Sequence, residues 1–168
     1  MNKLVWLAAI AICCLSTAVG SSADFEVPQI HTVSGVSLSY SREAIDDRLG
    51  SPVEVLPPTP VNRTWEFRYK NGLKASFKDR EPTSRPILLT GPQLSVRGRP
   101  IDSGATYRQI EETLGTPTGD TRLLWSYTDT VRQVAICVRF SDGRVVSFAV
   151  SRSQETDSFC MPSKRRSG

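Results

Sequence analysis

The 168-residue chain carries 21 Lys and Arg against 17 Asp and Glu, a formal charge of +4, with four Cys and a single His. So mild a basic bias excludes the strongly cationic footprint of a nucleic-acid binder, and the length suits one compact domain or two small lobes sharing a core. His31 has no second histidine to join it, so no multi-histidine metal site is laid out, and it reads as a surface residue.

Met1-Asn2-Lys3 opens the chain, an apolar run follows from Leu4 to Cys14, and small residues continue to Gly20. One positive residue, a core too short to span a bilayer and a small-residue exit describe a secretory signal peptide over residues 1–20, cleaved after Gly20 or Ala23. The expected location is therefore the periplasm or the exterior. Ile12 and Cys13 are too large to precede a lipidated cysteine, which argues against an anchor through Cys13 or Cys14. No second long apolar segment exists, so no membrane insertion is expected after cleavage. Losing Lys3 lowers the charge to +3, and Cys137 and Cys160 remain. In an oxidising compartment the pair reads as a disulfide closing a loop of about 24 residues, worth ~3 kcal/mol by chain entropy; the alternative is two buried thiols.

Residues 24–29 show no periodicity. A doubled pattern then organises the rest: Ser41-Arg42-Glu43-Ala44-Ile45-Asp46-Asp47-Arg48-Leu49-Gly50-Ser51-Pro52 returns as Thr106-Tyr107-Arg108-Gln109-Ile110-Glu111-Glu112-Thr113-Leu114-Gly115-Thr116-Pro117. Each copy predicts a short helix. Ser41 and Thr106 cap it, with a capping box only in the second copy, through Gln109. Ile45 with Leu49, and Ile110 with Leu114, share one face at i, i+4. Gly50 and Gly115 suit a left-handed stop, and the prolines prevent continuation. The match extends upstream, where Val33 to Leu38 and Val96 to Ile101 both read Val-x-Gly-x-x-(Leu or Ile), and it marks an internal duplication.

After a proline-rich passage at Pro57, Pro58 and Pro60, Trp65 to Tyr69 alternates apolar and polar, Lys70-Asn71-Gly72 turns, and Leu73 to Lys78 alternates again. An antiparallel hairpin is predicted there, with a short third strand at Ile87 to Thr90. The second copy repeats the order: Leu123, Trp125 and Tyr127 alternate, then Ile136, Val138 and Phe140, then Asp142-Gly143 turns into Val146, Phe148 and Val150. The expected fold class is thus α+β: two tandem repeats, residues 24–92 and 93–151, each a helix plus a three-stranded antiparallel sheet with the helices packed on one face. Residues 152–168 form a tail tied by the disulfide. Cys137, between Ile136 and Val138, points away from the apolar face.

No nucleophile has a base beside it, and the adjacent carboxylates Asp46-Asp47 and Glu111-Glu112 point in different directions as solvated helix positions. No metal spacing or phosphate cradle occurs, so no enzyme, cofactor or metal is expected. What remains is the polar sheet face, carrying Glu66, Arg68, Lys74, Lys78 and Arg139 as candidate partner-binding residues, with the loop from Pro57 to Arg63 as a rim.

A secreted tandem of short helix, Leu-Gly-x-Pro, aromatic strand, and strand ending in Phe-x-Asp (Phe77 to Asp79, Phe140 to Asp142) resembles the superfamily of the beta-lactamase inhibitory protein and the SmpA/OmlA outer-membrane assembly lipoproteins. The resemblance covers Val33 to Val150. It implies a non-enzymatic, exported protein-binding module: an inhibitor or immunity-type protein that occludes a toxin or hydrolase, or alternatively an envelope-assembly accessory. The lipoproteins' anchoring cysteine motif is poorly formed here, and this sheet face is charged and small where the beta-lactamase inhibitor's is aromatic.

Overall fold

A computed structural model describes residues 31–129 and 133–152. The chain runs β1 (His31–Val33), α1 (Arg42–Leu49), β2 (Glu54–Leu56), β3 (Trp65–Arg68), β4 (Lys74–Phe77) and β5 (Leu88–Gly91). It continues through β6 (Gln93–Val96), β7 (Arg99–Asp102), α2 (Tyr107–Leu114), β8 (Gly119–Asp120), β9 (Leu124–Asp129), β10 (Val134–Ser141) and β11 (Arg144–Arg152). The expected signal peptide, residues 24–29 and Cys160, the expected disulfide partner of Cys137, lie outside the described residues.

Both helices start as their sequences dictate. Ser41 Oγ accepts from Ala44 N, and Thr106 and Gln109 close a reciprocal capping box in α2. Gly50 and Gly115 have positive φ (81° and 80°) but extended ψ, rather than the left-handed helical stop expected. That backbone region is essentially glycine's alone. The β3–β4 hairpin also forms, with Trp65 opposite Phe77 and Arg68 opposite Lys74.

The expected pair of helix-plus-three-stranded-sheet repeats does not occur. Among the described residues the fold is mostly β, built from two antiparallel sheets of three and eight strands, with two helices of eight residues each. The large sheet has the order β2-β3-β4-β5-β11-β10-β9-β8, so the two halves of the chain join where β5 pairs with β11. A separate three-stranded sheet in each half would leave β5 and β11 as open edges, with unpaired N–H and C=O groups; pairing them removes both edges at once. Further strands, β2 and β8, extend the outer ends.

The smaller sheet, β1-β6-β7, forms from the upstream Val-x-Gly segments. Ser34-Gly35 (φ 50° and 79°) and Arg97-Gly98 (φ 51° and 76°) are tight turns with both central residues at positive φ, which suits two-residue hairpins. Pro100 is tolerated because β7 is an edge strand. An eight-residue helix is only ~12 Å long, so two of them cannot roof eight strands. The small sheet covers the middle, next to β5 and β11, where Gly91 lets it approach: a Cβ there would sit 2.8 Å from Val33 Cγ1 and Ser34 Oγ.

Helices and small sheet lie on one face of the large sheet, the inner face. Ile45, Ile110, Val33, Val36 and Leu94 are fully buried against Phe67, Phe77, Leu89, Val138, Phe148 and Val150. Phe67 and Phe77 meet edge to face at 5.2 Å, while Tyr107 of α2 stacks on Phe140 at 4.2 Å. No helix among the described residues is long and apolar enough to cross a membrane.

Candidate functional site

Register sorts the large sheet into an inner face, closed by the core, and an outer face that neither helices nor small sheet cover. Glu66 and Arg68 on β3 and Lys74 on β4 share the outer face, and Lys78, exposed just beyond β4, continues their alternation. Arg68 donates from Nε to Glu66 Oε1 and from Nη1 to Glu54 Oε2, both at 2.7 Å. Glu66 first, and then Glu54, holds the guanidinium in its charged form. Arg68 is therefore already paired within the chain, and Glu54 on β2 is a member that the sequence did not suggest, because the proline-rich passage hid its strand.

Arg139, exposed on β10, is not part of this cluster. It lies opposite Ser147 and Leu124, and β4, β5 and β11 separate β10 from β3. Four strand spacings place it about 19 Å from Arg68. The five candidate residues thus occupy two ends of one face. At the Arg139 end a bulge presents Val146, 46% exposed, while Val61 (96%) and Leu123 (60%) stand out from the β2–β3 and β8–β9 connections. Val61 belongs to the rim expected at the Pro57 to Arg63 loop, whereas Val146 and Leu123 lie toward the other end of the sheet.

The helix carboxylates are not equivalent. Asp46, expected to be solvated, accepts from Tyr69 Oη at 2.8 Å and pairs with Arg42 at 3.0 Å. Burial first, with Asp46 second, raises the Tyr69 pKa well above the usual phenol value. This joint ties α1 to the end of β3, and Arg42 also lies over the Phe67 ring at 5.5 Å.

His31 is not at the surface: its side chain is only 12% exposed, with Nε2 3.8 Å from Asp129 Oδ2. Both line a cavity of about 670 Å³, bounded by the β6–β7 turn, the end of α2 and β9, together with Arg97, Arg99, Thr118 and Tyr127. The Tyr127 hydroxyl is buried without a hydrogen-bond partner among the described residues. Burial first, then the Glu111 carboxylate, pushes its pKa up to about 12, so at neutral pH it is a proton donor. The alternating strand pattern placed Tyr127 in the core correctly, but only the packing of α2 and β6–β7 around it leaves the cavity.

A pH dependence follows. The folded chain holds the Tyr127 proton more tightly than the unfolded chain, whose phenols titrate near 10. This contribution to stability is complete below about pH 10 and declines as pH rises toward about 12. Denaturant midpoints measured across that range should fall for the native chain and fall less steeply for Tyr127→Phe. The variant should also be no less stable at pH 7, since it removes a buried hydroxyl that lacks a partner.

Among the described residues, no group of three or more His, Cys, Asp and Glu is placed to hold a metal ion. No protein-family model, curated protein or solved structure matches the chain.

Proposed function

We propose that the protein is an exported, non-enzymatic protein-binding module that acts by occlusion, most simply as an inhibitor or immunity-type protein neutralising one toxin or hydrolase. The reading is supported by one arrangement: a continuous eight-stranded sheet whose outer face has charged groups at both ends, with exposed Val61, Val146 and Leu123 at its margins. A rigid sheet held by a buried core offers a preformed surface, so little ordering free energy opposes association. Charged groups there steer the encounter and select partners, while the apolar side chains supply contact area. Export rests on the leader at residues 1–20.

The test is capture from a periplasmic extract with the tagged mature chain. One stoichiometric toxin or hydrolase, inhibited on binding, supports the proposal. Co-purification of outer-membrane assembly components instead supports the envelope-accessory alternative. Catalytic turnover by the purified chain would overturn both. Arg139→Glu should weaken capture at least tenfold and slow association most at low salt, because Arg139 is exposed. Unchanged association by this variant removes the β9–β11 end of the face from the interface.

A further inference from the structure

The length of one side chain leaves the cavity between the small sheet, α2 and β9 open. At the end of α1, the Arg48 guanidinium lies 3.5 Å from where a Cβ on Gly35 would stand, so the helix meets the Ser34-Gly35 turn. Thr113 holds the same next-to-last place in α2 and is too short to repeat that contact; a Cβ on Gly98 would meet nothing within 4 Å. What remains is the space of about 670 Å³, within the range of small-molecule sites. Two cross-strand rows build its walls. His31 is opposite Val96 and Val96 opposite Arg99 on the small sheet, while Tyr127 is opposite Ile136 on the large one. Directly opposite residues point the same way, so each row faces the cavity as a unit.

Charge divides this space. Arg97 and Arg99 are exposed at its mouth, on the β6–β7 turn and its flank, and their side chains have no ion pair or hydrogen bond among the described residues. Two guanidiniums without a carboxylate present a set of donors that matches an anion. On the β9 side the signs are reversed: Asp129 contributes a carboxylate, and the charge of Glu111 acts on the Tyr127 hydroxyl, so negative charge is disfavoured there. Val96, Leu114 and Ile136 supply an apolar lining. At the floor, the Tyr127 hydroxyl is a donor with no acceptor among the described residues. We propose that the cavity binds a small organic acid, whose single carboxylate is held at the mouth by Arg97 and Arg99 and whose neutral body lies against Val96, Leu114 and Ile136. A phosphate monoester fits less well, because its second charge would face Asp129. A carbonyl or ether oxygen at the inner end of the ligand would give the Tyr127 hydroxyl its acceptor. The cavity lies on the opposite side of the large sheet from the outer face, so the inference stands whether or not the protein is an inhibitor.

The test is an NMR titration of the full mature chain with benzoate, phenylacetate and hexanoate, read at the arginine Nε–H and tyrosine ring signals. At least one carboxylate should shift Arg97, Arg99 and Tyr127 together and saturate by about 10 mM, the strength expected of a ligand of roughly nine heavy atoms. Benzamide, similar in shape but neutral, should bind about tenfold more weakly than benzoate, and phenyl phosphate should bind no more tightly than the best carboxylate. Arg97→Gln combined with Arg99→Gln should weaken that carboxylate about tenfold, and the chain should stay folded because both residues are exposed. Thr113→Met, which extends an uncharged side chain from α2 into the space, should weaken it several-fold with both arginines intact. No saturable shift with any of the three acids, equal binding of benzamide, tighter binding of phenyl phosphate, or shifts centred on Arg68 or Arg139 would overturn the proposal. So would unchanged affinity in the folded double variant; if that variant fails to fold, the benzamide comparison and Thr113→Met decide.

Discussion

Ile110→Ala should lower the stability of the protein by about 2–5 kcal/mol, read as a shift in the denaturant midpoint at unchanged slope. Ile110 is 0% exposed and is the buried residue of α2, which makes it the helix's main attachment to the β9–β10 half of the sheet. Truncation loses the transfer free energy of three carbons and leaves a cavity that a β-sheet on one side cannot collapse to fill. Ile45→Ala should cost a similar amount in the other half, since Ile45 is also 0% exposed and the buried residue of α1. The two sites lie in different halves, so their costs should add in the double variant. Because a domain of this size is stabilised by only about 5–15 kcal/mol, the double variant should be largely unfolded at 37 °C. Leu49 and Leu114, partly buried, should each cost less than the isoleucine of the same helix.

Gly91→Val should be comparably damaging for the opposite reason, overpacking where the sheets meet. Even a Cβ at Gly91 would lie 2.8 Å from Val33 Cγ1 and Ser34 Oγ, both on the tightly turned segment that places the small sheet over β5. Alanine should cost about 1–3 kcal/mol, and valine should reach the top of that range or exceed it. The cost arises from contact and not from backbone strain, because Gly91 is not among the residues with positive φ. Shortening the obstructing side chain should therefore rescue part of it. In a double-mutant cycle of Gly91→Ala with Val33→Ala, the pair should be less destabilised than the sum of the single variants. Simple additivity would show that the contact is relieved by movement of the small sheet instead.

How much of this was legible beforehand differed by element. The two helices, their caps and the β3–β4 hairpin were readable because every signal lies within a few residues: Ser41 and Thr106 at the starts, Gln109 completing one capping box, Lys70-Asn71-Gly72 at the turn. β6 and β7 were not identified, because the Val96 to Ile101 segment between and within them was read only as a repeated Val-x-Gly pattern. Arg97 is an uncommon first residue for a two-residue turn, and Pro100 argues against a strand unless the strand is known to be an edge. β2 was hidden in the same way by the prolines that follow it. The candidate site was half legible. Alternation assigned Glu66, Arg68, Lys74 and Arg139 to the outward face, but it had no means of measuring the three strands between Arg68 and Arg139, or of revealing that Glu54 engages Arg68.

By itself the sequence determined what depends on local spacing: where the two helices start and stop, and the inward face of the β3–β4 hairpin, though not the exposure of Leu123 and Val146, which alternation had placed with the core. Tertiary structure alone decided how the two halves of the chain meet. Pairing of β5 with β11 fused them into one eight-stranded sheet, and pairing of β1 with β6 made a second sheet from the upstream segments of different halves. The physical reason is that strand partners are chosen by satisfying backbone hydrogen bonds at exposed edges, and a strand's side-chain pattern is the same whichever neighbour completes it.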